Sequence, residues 1–160
     1  ASANFPYIYG NTGAGVRITN GWNNGGNYTF FHVTRYTGGS RNRIWQGLSG
    51  NWLSGHWASR RAVFYHEGWL NSGSQGSLDD WVQCTDSRSL VRYNRGANQW
   101  SSGGNYGPNG VAINNAGSGG CCNSNERSDW ACAEVILYNR TLSTDEMLQV
   151  ENYLYNIYRF

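Results

Sequence analysis

A chain of 160 residues has room for one domain of ordinary size, and its 22 Gly and 20 Asn favour turns. Aromatic residues make up 15% of the chain and charged residues only 14%, which excludes a disordered polymer, and the composition lacks the Ala, Leu, Glu and Lys excess of a long-helix protein. A net charge of +2, with all 12 basic residues Arg and the acids interspersed, gives no electrostatic footprint for nucleic acid; apolar runs such as 62–65 and 135–138 are far short of the roughly 20 residues of a membrane-spanning helix.

In chain order, short stretches of β character alternate with Gly, Asn and Ser clusters. Val16 to Ile18 precedes the turn-rich 20–26. Tyr28 to Tyr36 (YTFFHVTRY) is β-branched or aromatic almost throughout and is predicted to be a central strand. After Gly38-Gly39 come short strands at Arg43 to Gln46 and Asn51 to Leu53, then Arg61 to His66, Trp81 to Thr85, Leu90 to Tyr93 and Val111 to Asn114. Trp130 to Tyr138 (WACAEVILY) is the strongest strand of all. Many short strands separated by turn signals point to an all-β sandwich or barrel and not to βαβ units. One helix is predicted, from about 144 to 158. Ser143 and Glu146 have the spacing of a capping box, Leu142 can staple onto Met147, and Met147, Val150, Leu154 and Ile157 form an apolar stripe. No internal repeat or linker divides the chain, so 1–160 reads as a single domain.

The four cysteines, Cys84, Cys121, Cys122 and Cys132, include no C-x-x-C pair and have no nearby His, which argues against zinc. A disulfide framework is the expectation. A bridge within the adjacent doublet is strained, leaving Cys84 bonded to one of Cys121 and Cys122, and Cys132 to the other. Disulfides imply an oxidising compartment. Two Asn-x-Thr sequons, at Asn27 and Asn139, point the same way, and the start at Ala1-Ser2-Ala3 reads as a mature chain. The expected localisation is therefore secreted or cell-surface.

The stretch Trp130 to Ser143 (WACAEVILYNRTLS), with Glu146-Met147 and Val150 to Leu154 behind it, resembles the closing strand and helix of concanavalin A-like, laminin-G-like jelly-roll domains. Tyr28 to Tyr36 is similar to an early strand of that family, and Asn51 to Gly55 and Phe64 to Trp69 to its middle strands. The resemblance implies a two-sheet antiparallel jelly-roll sandwich with the helix packed outside or at one end. Such domains usually carry a further edge strand ahead of the stretch corresponding to residues 4–19. Its absence leads us to expect the N-terminal segment 1–9, with Phe5, Tyr7, Ile8 and Tyr9, to contact another chain.

Candidate chemistry is sparse. Glucanase members of this superfamily carry Glu-x-Asp-x-x-Glu, which is absent, so no catalytic residue is assigned and no enzyme is expected. Glu134, in mid-strand, is expected to be buried and tied to a neighbouring loop. His32, His56 and His66 lack metal-ligand spacing and are read as satisfied within or beside the sheets. No cofactor is expected; Asp79 and Asp80, or Glu126 and Asp129, are weak calcium candidates. Trp57 and Trp100 sit in polar surroundings and, with His56 and Asn98, are the candidate glycan contacts, since a ring covers the apolar face of a sugar while amides read its hydroxyls. Trp52, Trp69 and Trp81 are assigned to the core. The functional expectation is a non-catalytic, extracellular binding module for glycans or other surface components. The alternative is a self-assembling structural subunit of an extracellular filament or matrix.

Overall fold

The computed structural model describes residues 4–22, 26–73, 77–88, 90–97, 106–114 and 126–160, and the backbone of 99–100. One sheet has the order β1 (Ile8–Gly10), β12 (Trp130–Tyr138), β3 (Thr29–Tyr36), β8 (Val82–Ser87), β9 (Leu90–Tyr93), β10 (Gln99–Trp100). The other has the order β2 (Val16–Ile18), β11 (Val111–Ile113), β4 (Trp45–Gly47), β5 (Trp52–Trp57), β6 (Arg60–His66), β7 (Trp69–Asn71). All pairings are antiparallel, and the outer strands nest: β1 pairs β12 and β2 pairs β11. The result is a jelly-roll sandwich, with a single helix, α1 (Thr144–Tyr158), closing the chain.

The near-continuous apolar run of β3 has a physical reason: the strand is buried on both faces. Phe30 and Tyr36 face the second sheet and pack with Trp45, Trp52, Val111 and Ile113. Phe31 and Val33 point the other way, under Met147 and Leu154 of α1. A second inter-sheet cluster joins Ala62, Phe64 and Leu70 to Val82, Cys84 and Val91.

The disulfide expectation is overturned at both described cysteines. Cys84 and Cys132 are free thiols, and each is buried in a different cluster: Cys84 beside Phe64 and Val91, Cys132 beside Trp130. Held on inward positions of strands, they act as small apolar side chains. Cys121 and Cys122 lie outside the described residues.

The helix has its expected bounds, and its capping box closes in both directions. Glu146 N–H donates to Ser143 Oγ (3.3 Å), and Ser143 N–H donates to Glu146 Oε2 (2.8 Å). The buried face is nevertheless turned from the expected stripe: Met147, Glu151, Leu154 and Tyr158 are buried, whereas Ile157 is 41% exposed. The cause is polar. Glu151 accepts from Arg92 Nε (2.8 Å), Arg92 Nη2 (3.1 Å) and Thr85 Oγ1 (2.6 Å), which fastens the helix to β8 and β9.

Candidate functional site

Alternation along β3 puts Arg35 on the same face as Phe31 and Val33, two residues beyond the part of the sheet that α1 covers. The N-terminal segment folds over this point, because β1 hydrogen-bonds to β12 with Ile8 opposite Cys132. Phe5 packs against Trp81 (ring centroids 5.3 Å) and meets Tyr158 edge-on at 4.7 Å. Tyr7 meets Trp81 at 5.4 Å and Tyr9 at 6.1 Å. The Arg35 guanidinium lies 5.0 Å from the Trp81 ring centroid and 5.8 Å from that of Tyr7, so one cation is flanked by two rings.

Two hollows flank Tyr7 and Arg35. One, of about 600 Å³, is bordered by Tyr9, Asn11, Thr37 and Asp129. The other, of about 660 Å³, is bordered by Asp79, Asp80, Trp81 and Asn94. Their rims are braced: Arg41 pairs with Asp79 at 2.8 Å, Arg35 donates to the Asp79 carbonyl at 3.4 Å, and Asp129 Oδ2 accepts from Ser40 N–H at 3.0 Å. Tyr9 remains 75% exposed and Tyr7 45%. Flat rings open to water beside carboxylates, an amide and a guanidinium make a surface that can stack on a sugar ring and read its hydroxyls.

The sequence candidates distribute differently. Trp57 is half-buried at the end of β5; its Nε1–H donates to Glu126 Oε1 (3.1 Å), and the Arg60 guanidinium covers it at 5.2 Å. Next to it, at 5.3 Å, stands Trp69, which is 42% exposed and not core. Trp52 is fully buried, as expected, whereas Trp81 is only half-buried and belongs to the groove. His56 is not a surface residue: strand alternation turns it inward from Trp57, fully buried and edge-on to Tyr36 at 4.8 Å. Asn98 and the Trp100 side chain lie outside the described residues. Asp79 and Asp80 face Arg41 (2.8 Å) and Arg61 (3.9 Å), and no described cluster of three or more His, Cys, Asp or Glu could hold a metal ion. Glu134 is half-buried and accepts from the Tyr158 hydroxyl (2.8 Å); the fully buried carboxylates are Asp86 and Glu151. Asn27 and Asn139 are both exposed. Sequence reasoning missed the groove, although alternation of Phe5, Tyr7 and Tyr9 and the outward phase of Arg35 in β3 both signal it.

Between the sheets lies a second polar constellation, closed to solvent. Asp86 accepts from Tyr28 Oη–H (2.8 Å) and pairs with His66 Nε2 (3.0 Å), while Trp52 Nε1–H donates to Tyr28 Oη (3.0 Å). The His66 ring stacks on Trp52, and its Nδ1 faces the carbonyl of Arg88. Burial, and then the charge of Asp86, push the Tyr28 phenol well above its ordinary value. His32 contacts Thr34 Oγ1 (2.9 Å) and Ser54 Oγ (3.1 Å), and burial lowers it to about 3. His56 is held well below its ordinary value by burial, and further by His32 and Arg61. Gly55, at φ +93°, is required here, because a Cβ would stand 2.5 Å from His32 Cε1. With His32, His56, His66 and Asp86 all fully buried, this network positions the two sheets and meets no ligand from solution.

No protein-family model matches this chain, and comparison with curated proteins gives no match.

Proposed function

We propose that this is a non-catalytic, extracellular carbohydrate-binding module of the laminin-G-like jelly-roll type, with the Tyr7–Tyr9–Trp81–Arg35 groove as its binding surface. The observation that carries the reading is the exposure of Tyr9 and Tyr7 beside two hollows rimmed by hydrogen-bonding side chains. Burying one such ring under a sugar removes enough apolar surface to contribute about 1.5–3 kcal/mol, and Asn11, Asp129 and Asn94 supply direction. The resemblance of 130–154 to the closing strand and helix of laminin-G-like domains, and the tasks already held by Glu134, Asp86 and Glu151, support binding over hydrolysis. A glycan array probed with wild-type protein and with Tyr9→Ala tests it. Retention of at least one glycan class by wild type, weakened tenfold or more by Tyr9→Ala, is expected; no retention, or equal retention, overturns the reading.

One observation favours a second reading, self-association. Among the described residues β1 pairs only with β12, leaving its other edge without a described partner strand, and Ile8 is 55% exposed. Strand addition by another copy at this edge would build a chain of subunits. Sedimentation over a range of concentrations separates the readings: association abolished by Ile8→Lys supports the subunit, and a monomer throughout rejects it.

A further inference from the structure

We propose that the two sequons differ in when they can be modified: Asn139 accepts an N-linked glycan on the folded chain, whereas Asn27 accepts one only before the sandwich closes. The modification joins Asn Nδ2 to the anomeric carbon of a lipid-linked oligosaccharyl diphosphate. The N–C bond forms as the C–O bond to the diphosphate breaks, the lipid diphosphate leaves with the bonding pair, and the amide nitrogen gives up one proton. The motif demands Ser or Thr at its third position, so that hydroxyl has to be reachable by the transferase.

At Asn27 it is not reachable. Asn27 itself is exposed, but Tyr28 is 1% and Thr29 0% exposed. The Tyr28 ring sits in the inter-sheet core with its hydroxyl on Asp86. Thr29 Oγ1 uses both of its capacities: it donates to the Arg140 carbonyl (2.9 Å) and accepts from Leu142 N–H (2.9 Å). Presenting this tripeptide to an enzyme would mean peeling back the start of β3 from Tyr138, pulling Tyr28 out of the core and releasing the entry to α1. That amounts to opening the domain, not to a loop motion.

Asn139, Arg140 and Thr141 are all exposed, in the turn between β12 and α1. The Thr141 hydroxyl makes no hydrogen bond to any described residue. Arg140 is tied through its side chain to Glu146 (2.7 Å), an exposed pair on the helix side, and through its carbonyl to Thr29. The hydroxyl that would define the first sequon is thus spent on holding the loop of the second. A glycan on Asn27 therefore records modification that outran folding, and its occupancy falls when folding is faster.

The test uses the full chain made in a host without N-glycosylation, folded, and incubated with an oligosaccharyltransferase and a lipid-linked oligosaccharide donor. Peptides of residues 24–32 and 136–144 stand for the unfolded acceptors, and occupancy is read site by site by mass spectrometry. Both peptides should be modified; the folded chain should be modified at Asn139, with Asn27 occupied at least tenfold less than in its peptide. Comparable occupancy of Asn27 in folded chain and peptide, no modification of Asn139 in the folded chain, or an inert 24–32 peptide each overturns the proposal.

Discussion

His32 and His56 converge on the hydroxyl of Thr34 in a space closed to water, and a proton on either would be stranded there. Their native pKa values lie below the unfolded value of 6.5, with His32 at about 3. The unfolded chain therefore binds protons first as pH falls. The stabilisation is complete above pH 6.5 and is lost progressively below it. With both residues contributing, unfolding free energy should drop at a slope approaching about 2.7 kcal/mol per pH unit below pH 5.5. Urea titrations at pH 7, 6, 5 and 4.5 measure it, and His56→Gln should roughly halve the slope; a flat profile contradicts the burial. The buried thiols give a parallel expectation. Burial raises Cys132 to about 12 and Cys84 well above its ordinary value, so a thiol reagent at pH 8 should label both only on unfolding. Rapid labelling of the native chain contradicts this. Pairings inferred from cysteine count alone could not include this burial, because what fixes Cys84 is its place opposite His32 across β3 and β8.

At the scale of elements, α1 separates what was legible from what was not. Its start is encoded within four residues, Ser143 to Glu146, and is legible there; Ser143→Ala should cost about 1 kcal/mol, measured by thermal unfolding. Its rotation was not legible, because the partner of Glu151 is Arg92, 59 positions away on β9. Removing either member leaves the other charge buried, so Glu151→Ala or Arg92→Ala should each cost about 3–5 kcal/mol. The double replacement Arg92→Met with Glu151→Leu should be milder than either, since no charge is then stranded; equal or additive losses contradict a buried pair. The strands behaved similarly. Long ones, β3 and β12, were evident from composition, but β1, β7 and β10 have only two or three residues each and are defined by the neighbours they pair with.

For the whole molecule, the resemblance carried by the last third of the chain led to the correct architecture, because the β12–α1 pattern fixes both a central strand and what covers it. It did not locate the groove. That surface arises only when residues 5–9, 35 and 79–81 meet at the uncovered end of the first sheet's outer face, far from the Trp57 and Trp100 candidates in sequence. The central claim is that this meeting point holds saccharide. It is tested most directly by following the Trp indole N–H resonances by NMR while titrating a glycan retained on the array. The Trp81 signal should shift in a saturable way, while those of buried Trp45 and Trp52 stay still. Movement confined to Trp57 or Trp100, with Trp81 unchanged, would contradict the assignment of the groove.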